Sequence, residues 1–227
     1  MDDKLKRAHK SCHHGKLGYE NQLKYAQLLT DYDIIEIDFV YYNNQYVSSH
    51  DYEEENINKG SLLKNWIDFV IENDKVLWID LKDDNISVFL PQLSKLNVNA
   101  LIDTLDKLNY KNLDQFIIIS CQYHNIYEQL LNLSSYTIMR DLPKDILYVM
   151  DMLIPEFLNY HTKELIITEI ENDVGDASII AIDQQFFTVD ELSIFVNQCL
   201  AKIIIIYTFE SPIILKSDKH IIYQYNY

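Results

Sequence analysis

Ile34-Ile35-Glu36-Ile37-Asp38-Phe39 is the stretch that decides the fold. In a β-strand, residues i and i+2 point to the same face. Glu36 and Asp38 therefore share one face, and Ile35, Ile37 and Phe39 share the other. The pattern returns in Trp78-Ile79-Asp80-Leu81-Lys82, where Asp80 and Lys82 lie opposite Ile79 and Leu81. A single strand of this kind is ordinarily half exposed, with its carboxylates in water. Two strands with acidic residues at matching places point instead to convergence on one spot. In a parallel β/α barrel, inward-facing polar residues at the C-terminal strand ends form the usual catalytic set.

The rest of the chain supports such a barrel. Ala8 to His13 reads as a first short strand, and Glu20 to Tyr32 as a helix with Leu23, Ala26 and Leu29 on one side. Asn43-Asn44 is a turn signal, and Tyr46-Val47-Ser48 leads away extended, as in a hairpin. The run from Asp51 to Gly60, with Glu53-Glu54-Glu55, reads as a solvated loop. Ser61 is placed to cap a helix reaching about Asn73, with Leu62, Leu63, Trp66, Ile67, Val70 and Ile71 buried. Strands follow at 76–82, 116–121, 136–142, 165–170, 178–182, 203–209 and 221–227. Helical patterns fall between them, at 86–111 with interruptions near Pro91 and Asn97, at 126–133, in part of 144–161, and from Thr188 or Asp190 to Ala201. Alternation of this kind implies a mostly parallel sheet. The count of eight or nine strands predicts a single, compact (β/α)8 TIM-type barrel spanning residues 1–227. An open doubly wound sheet fits less well, because no Gly-rich phosphate loop is present.

Composition narrows the function. The 227 residues carry a net charge of −16, which argues against nonspecific nucleic-acid binding and against adsorption to anionic membranes. Only 4 Gly and 4 Pro occur, so long linkers are not expected. The three cysteines, Cys12, Cys121 and Cys199, are odd in number and form no CxxC pair. Together with a charged N-terminus lacking an apolar h-region, they point to a reducing, cytoplasmic setting. No apolar run reaches transmembrane length.

Clustered carboxylates need positive charge to hold them. Glu36, Asp38 and Asp80 offer oxygen only, which suits a hard divalent cation, Mg²⁺ or Ca²⁺, better than zinc. Lys82 adds a further positive charge beside them. Imidazole titrates near neutral pH, so the histidines at His13-His14 and His50 are candidates for proton transfer.

At these residues the chain resembles the glycerophosphodiester phosphodiesterase family. That family carries a His-Arg-Gly motif, a Glu-Asn pair, a Glu-x-Asp strand, a His-Asp pair and a Glu-x-Lys strand. Here His13-His14-Gly15, Glu20-Asn21, Glu36-Ile37-Asp38, His50-Asp51 and Asp80-Leu81-Lys82 follow in that order with similar spacing. Beyond residue 82 the match is weak, with Ser120 at a strand end and Tyr207-Thr208-Phe209-Glu210 in place of Trp-Thr-x-Asn. The resemblance implies a barrel of the phospholipase-C-like phosphodiesterase superfamily. It implies that His13 and His50 are acid and base, that Glu36, Asp38 and Asp80 bind the metal, and that Lys82 and His14 meet the substrate phosphate. The substrate would be a small glycerophosphodiester or lysolipid, cleaved in the first case to glycerol 3-phosphate and an alcohol. Three positions depart from the pattern: His14 stands for arginine, Asp80 for the commoner glutamate, and Glu210 for asparagine. The aspartate is similar to the sphingomyelinase-D-like branch of the same barrel. A lipid phosphodiesterase of that type, or a degenerate barrel kept for binding, are the alternatives.

Overall fold

The two carboxylate-bearing stretches are neighbouring parallel strands. A computed structural model describes residues 7–10, 19–83, 95–121, 124–141, 179–183, 188–198, 203–208, 215, 217 and 220–225, and structural statements concern these residues. The strands are β1 (Arg7–Lys10), β2 (Ile34–Tyr42), β3 (Gln45–Ser48), β4 (Val76–Leu81), β5 (Ile117–Cys121), β6 (Thr137–Asp141), β7 (Ile179–Asp183), β8 (Ile203–Thr208) and β9 (His220–Tyr225). The helices are α1 (Gln22–Ala26), α2 (Glu54–Lys59), α3 (Leu63–Glu72), α4 (Val98–Leu108), α5 (His124–Leu133) and α6 (Val189–Gln198).

The parallel pairings run β2-β4-β5-β6-β7-β8-β9, and β1 pairs with both β9 and β2. This parallel-rich order is consistent with a TIM-type α/β fold. Among the described strands, only β3 departs from this order. It pairs antiparallel with β2 through Asn43 and Asn44, whose φ values of 49° and 63° are those of a tight hairpin turn.

Alternation along each strand separates two environments. Ile35, Ile37, Phe39, Leu77, Ile79, Leu81, Ile117 and Ile119 join one core cluster with Leu63, Trp66, Val70, Leu101 and Leu105 from α3 and α4. The opposite face of the same strands carries Ile34, Glu36, Asp38, Trp78, Asp80, Ile118 and Ser120, all buried. Trp66 is a core residue, wholly buried and edge-on to Phe69 with ring centroids 6.1 Å apart. Leu192, Phe195 and Val196 of α6 are buried as their helical spacing predicts.

Three local expectations need correction. The helix expected over 20–32 is only α1, led in by a 3-10 turn at Tyr19–Asn21. The chain turns after Gln27 so that Leu29 is buried, and Lys75 Nζ donates to the freed carbonyls of Leu29 and Tyr32 at 2.9 and 2.5 Å. The acidic run expected as a loop contains α2. Its Glu53, Glu54 and Glu55 are solvated, but Ile57 is buried against Val40 and Val47 of the hairpin. Ser61 does not cap α3. Its N–H donates to Ser48 Oγ and its carbonyl accepts from Ser48 N–H, both at 2.8 Å, while Leu62 takes the cap position and is 40% exposed. The strand expected at 165–170 lies outside the described residues, as do the helical parts of 144–161.

Candidate active site

Strand register assembles the site. Asp38 pairs with Asp80, and Asp80 pairs with Ser120, across three parallel strands. In-register parallel neighbours project from the same face. Asp80 and Ser120 are the penultimate residues of β4 and β5, and the parallel pairing of β2 ends at Phe39, one residue beyond Asp38. The three side chains therefore stand at the C-terminal end of the parallel strands, where the fold places its chemistry.

Glu36, Asp38 and Asp80 are all buried and each offers a carboxylate oxygen within 4.8 Å of the others. Lys82 enters from just past β4. Its Nζ lies 2.5 Å from Asp80 Oδ2 and 3.3 Å from Asp38 Oδ1, with the lysine side chain 12% exposed. The backbone fixes this approach, because Lys82 N–H donates to the Phe39 carbonyl at 2.9 Å. Buried charges are stable only when compensated. Lys82 offsets part of the negative charge, and a cluster of three buried carboxylates around one point is an arrangement that a divalent cation can occupy. The donor set is all oxygen, which fits a hard ion such as Mg²⁺ or Ca²⁺.

Beneath Asp80 a second polar layer is built. Ser120 Oγ donates to Asp80 Oδ1 at 3.1 Å and accepts from Trp78 Nε1–H at 2.7 Å. Neither contact was expected from sequence. Two signals were available: alternation puts Trp78 on the face of Asp80, and the resemblance singles out Ser120 at a strand end.

His50 follows the hairpin, in a segment pinned on both sides. Ser49 N–H donates to the Asp38 carbonyl at 3.1 Å, and Ser49 Oγ donates to the Asp51 carbonyl at 2.8 Å. The ties of Ser48 to Ser61 complete the anchoring. His50 is half-buried, one residue from the anchor on Asp38. Asp51 turns to α2 instead, accepting from Glu53 N–H at 3.0 Å and from Asn56 Nδ2 at 3.0 and 3.2 Å. Gly60 is required here by close approach, since a Cβ on it would overlap the Ser48 carbonyl and lie 2.7 Å from Val47 Cγ1.

β1 ends at Lys10, in register with Glu36. His13 and His14, three and four residues further on, lie outside the described residues, as does Glu210. Among the described residues, no helix is long and apolar enough to cross a membrane.

No model of a known protein family matches the sequence, and no curated protein does. Solved structures do match. A protein described as a glycerophosphoryl diester phosphodiesterase from Agrobacterium tumefaciens is 10% identical, with a TM-score of 0.65 over 97% of this chain and 93% of its own. A phosphodiesterase from Oleispira antarctica, solved with the product sn-glycerol-3-phosphate, is 13% identical, with a TM-score of 0.57 over 91% of this chain and 86% of its own. A further protein described as a glycerophosphoryl diester phosphodiesterase, from Silicibacter pomeroyi, is 11% identical, with a TM-score of 0.53 over 91% and 84%. At such identities the likeness is one of fold. In fold, this chain is similar to the glycerophosphodiester phosphodiesterases that its Glu36-Ile37-Asp38 and Asp80-Leu81-Lys82 strands resemble.

Proposed function

We propose that this chain is a divalent-metal-dependent phosphodiesterase that hydrolyses glycerophosphodiesters to glycerol 3-phosphate and an alcohol. The observation that carries this reading is the buried group of Glu36, Asp38 and Asp80 with Lys82 beside it, at the C-terminal ends of parallel strands. Glu36, Asp38 and Asp80 would hold Mg²⁺ or Ca²⁺. When bound, the ion would offset charge on the phosphoryl oxygens and orient them.

The remaining work falls to this chain's side chains. Lys82 and His14 would meet the anionic phosphate and, with the bound ion, supply the local positive charge that it needs despite the net charge of −16. His13 and His50 divide the proton transfers. One imidazole takes the proton of the attacking hydroxyl as the new O–P bond forms. The other, protonated, gives its proton to the alkoxide as the old O–P bond breaks. Each such group is commonly worth about 10²–10⁴-fold in rate. The pinning of residues 48–51 supports the choice of His50, because proton transfer depends on a held geometry. The reading includes a small-molecule substrate, no nucleic-acid partner and a cytoplasmic setting, the last on the odd number of cysteines.

The test is hydrolysis of glycerophosphocholine, with lysophosphatidylcholine and sphingomyelin in parallel, each with Mg²⁺, with Ca²⁺ and with EDTA. Metal-dependent release of glycerol 3-phosphate, lost in His50→Ala, is the expected result. Choline released from the two lipids alone would move the assignment to the sphingomyelinase-D-like reaction, which the aspartate at position 80 favours. No turnover of any of them would overturn the assignment.

A further inference from the structure

Asp80 is held by more than its lysine. Trp78 precedes it by two residues on β4 and is wholly buried. The indole Nε1–H donates to Ser120 Oγ at 2.7 Å, and that hydroxyl donates to Asp80 Oδ1 at 3.1 Å. An indole nitrogen can only donate, and a serine hydroxyl carries a single proton. The tryptophan therefore occupies an acceptor position on Ser120 and leaves its proton to the carboxylate. Lys82 Nζ takes the other oxygen, Oδ2, at 2.5 Å. With a donor on each oxygen, the plane of the Asp80 carboxylate is set, and so are the lone pairs left for a cation.

We propose that Trp78 and Ser120 are positioning residues for the cation site, a donor relay that orients Asp80. The inference rests on the reading of Glu36, Asp38 and Asp80 as metal ligands. It also accounts for the short side chain at position 80. An aspartate has one rotatable bond fewer than a glutamate and reaches one methylene less far. It cannot search for the ion, so its orientation has to be supplied by neighbours. Partners that orient a ligand from behind are commonly worth about 10–100-fold in metal affinity.

The relay spans β4 and β5, so it depends on register, and all three side chains are buried. In that low-dielectric setting each hydrogen bond polarises the next. Removing the first donor should therefore be felt at the carboxylate although the ring never touches it.

Trp78→Phe keeps most of the ring volume and removes the indole N–H donor. Mg²⁺ and Ca²⁺ are titrated calorimetrically into wild type, Trp78→Phe, Ser120→Ala and the double variant, with thermal melts confirming that each is folded. We expect the metal Kd to weaken about tenfold or more in each single variant. The double variant should lose little beyond Ser120→Ala, because contacts acting through one chain are not additive. A second readout needs no metal. The indole ¹H–¹⁵N signal of Trp78 should shift in Ser120→Ala while that of Trp66 stays in place. Wild type that binds metal, with Trp78→Phe binding equally well, would overturn the relay and leave the metal site standing. Wild type that binds neither ion would overturn both, even if the Trp78 signal shifts. Fully additive losses in the double variant would also refute a shared path.

Discussion

Replacing Lys82 with methionine is the most direct test of the charge balance inside the sheet. The ammonium lies 2.5 Å from Asp80 and 3.3 Å from Asp38, and the three side chains are 12%, 3% and 0% exposed. Removing one partner of so buried a group takes the lysine's positive charge away from both carboxylates. The usual cost is about 3–5 kcal/mol. For a chain of 227 residues, each kcal/mol moves the melting temperature by about 2–4 °C. Lys82→Met should therefore melt about 6–20 °C below wild type in EDTA. Methionine keeps most of the apolar stem, so little of that loss comes from packing. Added Mg²⁺ or Ca²⁺ should restore part of it. An ion at about 100 times its Kd stabilises the folded state by about 2.7 kcal/mol. The gain should be larger in Lys82→Met than in wild type, because the ammonium no longer repels the incoming cation. The assay is a thermal melt of both proteins in EDTA and in each metal. A variant melting within about 2 °C of wild type in EDTA would refute the idea that Lys82 holds ionised carboxylates together. An equal or smaller metal-dependent gain would refute the shared site.

Other outcomes follow from single contacts. His50→Ala and His13→Ala should each lower kcat for glycerophosphocholine by about 10²–10⁴-fold with the melting temperature little changed, and near-wild-type turnover would remove either residue from the mechanism. Gly60→Ala should destabilise by about 1–3 kcal/mol in a denaturant melt, because the added methyl meets the Ser48 backbone carbonyl, which cannot swing aside; an unchanged midpoint would show that residues 48–61 are not packed as described. Burial holds the Tyr46 phenol well above its ordinary value, and desolvation pushes Tyr136 up to about 12. Above about pH 10 the unfolded chain loses protons that these folded tyrosines keep, so stability falls as pH rises, by up to about 1.4 kcal/mol per pH unit for the buried Tyr46 and by less for the more exposed Tyr136. Tyr46→Phe should flatten that alkaline fall while costing about 1 kcal/mol at neutral pH through the lost bonds to the Asn97 backbone, and an unaltered alkaline limb would refute the assignment.

What was legible in the sequence was whatever depends on near neighbours along the chain. A period of two at residues 35–39 and 78–82 marks strands and their faces, because alternate side chains must separate. Asn43-Asn44 marks a hairpin, because asparagine tolerates the positive φ that the turn needs. The interruption expected near Asn97 is where α4 begins, and the Asn97 side chain accepts from Ala100 N–H at 3.0 Å. The acidic residues at 36, 38 and 80 were readable as one group because two strands repeated one pattern.

Only the tertiary structure decided the rest. The start of α3 and the helix α2 depend on the hairpin, which offers Ser48 to Ser61 and an apolar face to Ile57. Local composition at 51–61 is polar and says nothing of that distant surface. Ser120 and Trp78 are 42 residues apart in sequence, and no spacing rule links them. Their bond follows from register, which aligns Asp38, Asp80 and Ser120 across three strands. Residue types and alternation are properties of the chain read locally. Register is a property of how strands pair, and it sets which buried polar atoms lie within reach of one another.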